Sequence, residues 1–136
     1  MTDSNDIERL IRANFAAFEA GSADGMRAMD HPESTIWDVF LPDLIVGAEG
    51  RAAFRKGDIA QSKTRGRLAM TIDEPLVDVW EDTALARYYL RFSYEPPNAT
   101  EGHVRITDVY RRIGGEWQRM HHHEGMVPAG VPPIAE

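Results

Sequence analysis

The densest group of chemically useful side chains is the stretch WQRMHHHEGMV, residues 117–127, where His121, His122 and His123 run directly into Glu124. Imidazole is a common metal ligand, and its ordinary pKa near 6.5 suits acid/base work at neutrality. The run could therefore hold a metal, supply a catalytic base, or be three imidazoles carried on a strand. It lies inside a strand pattern and away from either terminus, which argues against an affinity tag. Consecutive strand residues point to opposite faces, so only His121 and His123 could share an ion. No third ligand is evident on their side, and no metal is expected. His121 and His123 read instead as surface or interface imidazoles.

A second feature is cationic. Arg87, Arg91, Arg105, Arg111, Arg112 and Arg119 all fall in the C-terminal half of a chain whose net charge is −7. Guanidinium forks bind carboxylates and enolates bidentately, so those that share a cavity predict an anionic ligand; pointing outward they are a solvated face. The overall acidity argues against nucleic acid or an anionic membrane as partner. Zero cysteines exclude disulfides, thiol catalysis and thiolate metal sites. There is no phosphate-cradling glycine loop and no nucleophile elbow.

These side chains must be positioned by a chain of 136 residues, 43% hydrophobic and 27% charged, which is the make-up of one globular domain over 1–136. The first six residues lack a basic and apolar leader, and no apolar run approaches the roughly 18 to 20 residues that span a bilayer. A soluble, cytoplasmic protein is the expectation. Ile7, Leu10, Ile11, Phe15 and Phe18 recur at helical spacing, with Asp3 or Ser4 placed to cap and Gly21 to stop. A short second helix is expected over Ala23–Met29, capped by Ser22, burying Met26 and Met29 and broken at His31-Pro32. TIWDVF and LIVG read as short strands around a Pro-Asp turn. Gly50 to about Lys63 reads as a third helix, with Gly57 inside it at a cost of about 1 kcal/mol relative to alanine.

After Gly66 the period becomes two. Strands are expected over Leu68–Trp80 with an interruption at Pro75, then Ala84–Tyr94, Gly102–Ile113 and Glu116–Val127. They are joined by Glu81-Asp82, by the loop EPPNAT and by Gly114-Gly115. The tail PAGVPPIAE shows no periodicity. Helices followed by an antiparallel meander make an α+β pattern.

IWDVFLPDLIVG and VRITDVYRRIGGEWQRMHHHEG resemble the two signature stretches of the nuclear transport factor 2-like superfamily. That group includes ketosteroid isomerases, SnoaL-like cyclases and the association domain of calcium/calmodulin-dependent kinase II. The resemblance covers essentially the whole chain. It implies a cystatin-like cone: a curved, antiparallel mixed sheet wrapped around the long N-terminal helix, with a pocket at the open end and a homodimer formed through the outer sheet face. A fold of this kind does not select the chemistry.

The resemblance also places residues. Asp38 falls where ketosteroid isomerases carry their aspartate base. Arg105 falls at their oxyanion-hole aspartic acid, with Thr107 and Val109 on the same face. Asn14 and Phe15 occupy the neighbourhood of their helical tyrosine, so the steroid isomerase set is not reproduced. Matching the families puts Met120, His122 and Glu124 inward and Trp117, His121 and His123 outward. Leu85, Arg87, Tyr89 and Arg91 then face the pocket, while Ala86, Tyr88, Leu90 and Phe92 become the outer surface; apolarity alone would reverse that last assignment. Trp37, Trp80, Trp117, Met26, Met29 and Met70 read first as packing, with Trp37 also a candidate ligand contact beside Asp38.

Two functions follow. One is a cofactor-free acid/base enzyme of isomerase, cyclase or dehydratase type on a small carbonyl or acidic compound, with Asp38 as base, His122 as second acid/base and Arg105 holding the oxyanion. The other is a non-catalytic module that binds a small carboxylate- or enolate-bearing ligand or only oligomerises. Arginines paired to internal carboxylates such as Asp38 and Glu124 would mark the second, and an unpaired Asp38 beneath an apolar lid the first. Asp38 as a strand-edge carboxylate in a salt bridge is the structural alternative to its catalytic role.

Overall fold

The computed structural model describes residues 2–21, 25, 27–62, 64, 66–97 and 99–129. Helix α1 spans Asp3–Ala20. Its start is capped one residue earlier than expected, by Thr2, whose hydroxyl accepts the Asn5 N–H at 3.2 Å. It ends at Gly21, whose φ of 68° lets its N–H return to the carbonyls of Ala17 and Phe18. Ile7, Ile11, Asn14 and Phe15 form its buried stripe.

The chain continues through β1 (Asp30–Trp37), β2 (Ile45–Val46), α2 (Gly47–Ser62), β3 (Leu68–Ile72), β4 (Leu76–Trp80), β5 (Thr83–Tyr94), β6 (Thr100–Ile113) and β7 (Glu116–Met126). The sheet order is β2-β1-β7-β6-β5-β3, with β4 also paired to β5. Only β1 and β7 run parallel. β5 is long enough to take β4 along Thr83–Arg87 and β3 along Leu90–Tyr94; Pro75, which has no N–H to give a ladder, sits in the break between those two partners. Gly114 and Gly115, both at positive φ, close the β6–β7 hairpin. The curved sheet covers α1 with its concave face, giving the expected α+β cone.

The core fixes which face is concave. Ile7, Ile11 and Phe15 pack with Ala84, Ala86, Tyr88, Leu90 and Phe92 of β5 and Val104, Ile106 and Tyr110 of β6. Burying this apolar set against α1 is the strongest force on the sheet. It reverses the family-derived orientation of β5 and β6: Arg87, Tyr89, Arg91, Arg105 and Thr107 point outward.

Two other expectations change. The short helix falls partly on Ser22, Ala23, Asp24 and Met26, outside the described residues. Its described end is a turn, because Arg27 at φ 56° cannot continue a helix, and Asp30–Pro32 already belong to β1. α2 starts at Gly47, earlier than Gly50. No helix of the described residues is long and apolar enough to cross a membrane.

Candidate functional site

Between α1, α2 and the concave face lies a cavity of about 400 Å3. Phe15, Phe18, Leu68, Met70 and Phe92 give it apolar walls, and Phe40 and Leu41 stand over it from the loop after β1. Its polar groups are few: Asn14, Arg27, Asp38, His122 and Glu124. An apolar hollow with a handful of convergent polar side chains is the usual form of a small-molecule site.

Beneath it β1, β6 and β7 carry a buried chain of charges. Arg119, 1% exposed, donates from Nε to Asp30 Oδ1 at 2.6 Å and from Nη2 to Oδ2 at 3.3 Å. Its Nη1 lies 3.6 Å from Asp108 Oδ2. Tyr88 and Tyr110 donate their hydroxyls to that same oxygen at 2.8 and 3.0 Å. The other oxygen of Asp108 accepts from His122 Nδ1. Burial alone would raise the Asp108 pKa, but the His122 and Arg119 charges outweigh it and hold it down to about 2.

His122 has a carboxylate at each ring nitrogen, because Nε2 lies 3.0 Å from Glu124 Oε2. Both nitrogens must then donate, which makes the ring an imidazolium. Burial opposes that state and Asp108, aided by Glu124, overcomes it, so the His122 pKa is raised. The Arg119 Nη1 that lies 3.1 Å from Nδ1 can only be a close contact between two proton-bearing groups. Arg119 tolerates it because Asp108 and Asp30, against the pull of burial, hold its own pKa well up.

Glu124 ends the chain at the cavity. Its Oε1 accepts the Val39 N–H at 3.1 Å, and its other oxygen takes the His122 proton. Against burial, those donors draw its pKa down to about 2. Asp38, the first residue after β1, hydrogen-bonds Glu124 and accepts the Phe40 N–H at 2.9 Å. Two carboxylates so close cannot both ionise easily. Glu124 has the imidazolium and a backbone donor whereas Asp38 has one backbone donor, so the shared proton belongs to Asp38. Burial first, and the Glu124 charge second, push the Asp38 pKa up to about 6.

Arg27 enters from the turn after α1. Its N–H donates to Asn14 Oδ1 at 2.6 Å, and its guanidinium lies 4.6 Å from the Phe54 ring centre and 5.4 Å from that of Phe18. Burial, then Arg119, lowers its pKa, opposed by Glu124, Asp30 and Asp38. Its Nε is buried without a partner, and among the described residues its guanidinium makes no ion pair.

The cavity thus gathers Asn14, Phe15, Asp38, His122 and Glu124. The other expected site residues lie elsewhere. Arg105 and Thr107 are exposed on the outer face, and Arg91 is exposed there too. Arg87 pairs with Asp78 on β4. Tyr89 is 48% exposed against the His103 ring, and Trp37 is 39% exposed against that of His123. Met120 is the extra residue of a bulge: Val109 pairs with His121 but Tyr110 with Arg119. The bulge flips the parity of β7, so Arg119 and Trp117 face inward, contrary to the outward placement of Trp117. Asp108 could have been found as the one acid in the apolar series Val104, Ile106, Tyr110; Arg27, in a turn, carries no periodic signal.

Comparison with known proteins supplies the frame. A model of the SnoaL-like domain matches residues 7–129. No curated protein matches the sequence. A candidate dehydratase of the nuclear transport factor 2-like family from Streptomyces avermitilis is 18% identical, with 93% of this chain and 98% of that one covered at a TM-score of 0.78. A candidate calcium/calmodulin-dependent protein kinase II association domain from Xanthomonas campestris is 16% identical, covering 94% and 90% at 0.77. A protein with a cystatin-like fold from Caulobacter vibrioides is 20% identical, covering 93% and 92% at 0.75. Such identities establish the shared fold, and the chemistry has to be argued from the site.

Proposed function

This chain belongs to the SnoaL-like domain family of the nuclear transport factor 2-like superfamily, and from that premise we propose that it is an acid/base enzyme acting on a small carbonyl compound. The observation that carries the reading is Asp38: a cavity-facing carboxyl that hydrogen-bonds an ionised Glu124 and has a pKa of about 6. A base works best when its pKa lies near the working pH. Above pH 6 the Asp38 carboxylate takes a proton from a carbon beside the carbonyl, and the C–H electron pair passes toward the carbonyl oxygen as an enolate. Enolate formation is the step common to isomerases, cyclases and dehydratases; the protonated Asp38 then returns the proton to another carbon in an isomerisation, to the oxygen of the carbonyl that the enolate carbon attacks in a cyclisation, or to a β-hydroxyl that leaves as water in a dehydration. The proposed step needs no cofactor.

His122 acts here through Glu124. Both its nitrogens are committed to carboxylates, so it is a positioning residue that keeps Glu124 ionised and thereby keeps the mobile proton on Asp38. The non-catalytic alternative called for arginines paired to internal carboxylates such as Asp38 and Glu124; Arg119 does pair with the internal Asp30 and Asp108, whereas among the described residues no arginine pairs with Asp38 or Glu124, and Asp38, expected unpaired in a catalytic pocket, has Glu124 as its partner.

The test is hydrogen–deuterium exchange at the α-carbon of a panel of enolisable aryl and alkyl ketones, followed by NMR in wild type and Asp38→Asn. The expected loss is about 100-fold or more, with the wild-type rate rising through an apparent pKa near 6. Equal exchange in the two proteins would overturn the reading.

A further inference from the structure

Arg27 raises a question that the acid/base step leaves unanswered. A guanidinium is protonated at every accessible pH, and drawing one out of water without a hydrogen-bonded partner is costly; Arg27 is half-buried, and Glu124, Asp30 and Asp38, whose charges reach it, make no ion pair with it. Arg112, Arg119 and Arg87 each have a carboxylate. Arg27 has two aromatic faces, Phe18 and Phe54, and no carboxylate among the described residues; its Nε, like those of Arg87 and Arg112, is buried with no acceptor. Rings hold the plane of a guanidinium and leave its N–H edges free, the edges that a carboxylate fork would engage.

The backbone beneath it is also held in place. Arg27 adopts φ 56°, a conformation disfavoured for any residue with a Cβ. The Asn14 side chain, 4% exposed on the otherwise apolar stripe of α1, accepts its N–H. A polar residue in that stripe and a left-handed backbone fix the main chain of Arg27, and an aromatic clamp holds its guanidinium at the cavity wall. We infer that Arg27 is the anchor for a carboxylate on the ligand, and that the cavity takes small monocarboxylates whose apolar body lies along Phe15, Met70 and Phe92. Asn14 is the positioning residue for that anchor. The inference deepens the reading of this cavity as the working site and rests on it, with Asp38 meeting the ligand at a different point.

The experiment is calorimetric titration of benzoate, phenylacetate, 3-phenylpropanoate and cyclohexanecarboxylate, each beside its neutral primary amide, into wild type, Asp38→Asn, Arg27→Gln and Arg27→Lys. In wild type and Asp38→Asn at least one acid is expected to bind tenfold or more tightly than its amide. Arg27→Gln is expected to lose that preference while binding the amide as before, and Arg27→Lys to recover part of it. A variant that fails to fold is bypassed by the Arg27 Nε–H resonance of wild type, which the bound acid, and not the amide, should shift. Equal affinity for acid and amide, no binding of any acid at 10 mM, or an unmoved Nε–H signal would overturn the assignment. Because Asp38→Asn keeps the anchor, acid preference without α-carbon exchange would sink the catalytic reading and leave the anchor standing; exchange without acid preference would do the reverse.

Discussion

A cavity carboxyl with a raised pKa costs the fold stability, and Asp38 shows how that cost can be read. Its ordinary pKa of 3.8 rises to about 6 in the folded protein. Between those values the native state holds the proton more tightly than the unfolded chain, so unfolding free energy falls as pH rises through the window. A shift of about two units corresponds to roughly 3 kcal/mol at full value; Asp38 is partly exposed, so solvent screening reduces this to on the order of 1 kcal/mol. Asp38→Asn keeps an acceptor for Phe40 and gives Glu124 a permanent donor. It is therefore expected to be more stable than wild type by about 1 kcal/mol at pH 7.5 and equal to it near pH 3.5. Urea unfolding of both proteins at the two pH values checks this. Asp108, whose lowered pKa acts in the opposite direction at more acidic pH, titrates in both proteins and cancels in the difference; Glu124 hydrogen-bonds position 38, so its titration changes with the substitution, but at about 2 it lies below the two pH values compared. A gap between the two proteins that did not change with pH would show that Asp38 does not hold the proton.

Elements position these residues, and one glycine shows how tightly. Gly102 on β6 pairs with Phe92 on β5, and a Cβ at Gly102 would lie 2.6 Å from the Phe92 ring. Phe92 meets Phe40, at 5.7 Å between ring centres, and lines the cavity. Gly102→Ala must displace that ring, with an expected loss of about 1–3 kcal/mol from overpacking and weakened binding of the carboxylate panel. Thermal unfolding and the same titrations measure both; an unchanged melting temperature with unchanged affinity would mean that the ring has another place to go. Elements were also the level most legible in the sequence. α1 with its glycine stop, the break at Pro75, the long strands and the hairpin glycines all follow from local period and turn chemistry. So did Asp38, His122 and Glu124, through the family stretches that carry them. What stayed hidden depended on tertiary structure. The bulge at Met120 changes strand parity without a compositional mark, which misplaced Trp117 and concealed Arg119. The facing of Arg87, Tyr89, Arg91 and Arg105 was set by which side of the sheet α1 covers, and the apolar alternation Ala86, Tyr88, Leu90, Phe92 was the better guide there.

At the scale of the whole molecule the outer sheet face remains to be accounted for. Trp37, His123, Thr107 and Arg87 lie in register across four adjacent strands, and the last three, with Leu76 and Tyr89, border a shallow groove of about 560 Å3. Leu76 is 61% exposed and Tyr89 48%, which leaves apolar surface facing water on a sheet whose other side is fully used. We propose, from what the family resemblance implies, that a second copy of the chain packs there; a two-fold axis would bring the same patch against itself. Thr107, at the middle of the row, would then lie close to its own counterpart. Thr107→Glu would place like charges face to face across the axis while leaving the cavity on the opposite side of β6 untouched. Sedimentation velocity at 50 μM is expected to give a dimer for wild type and a monomer for Thr107→Glu, with carboxylate binding within about twofold of wild type in the variant. A monomeric wild type at that concentration would remove the dimer from the account. A variant that dissociates and also loses ligand would show that the outer face and the cavity are coupled through β6, on which Asp108 and Thr107 are neighbours with opposite orientations.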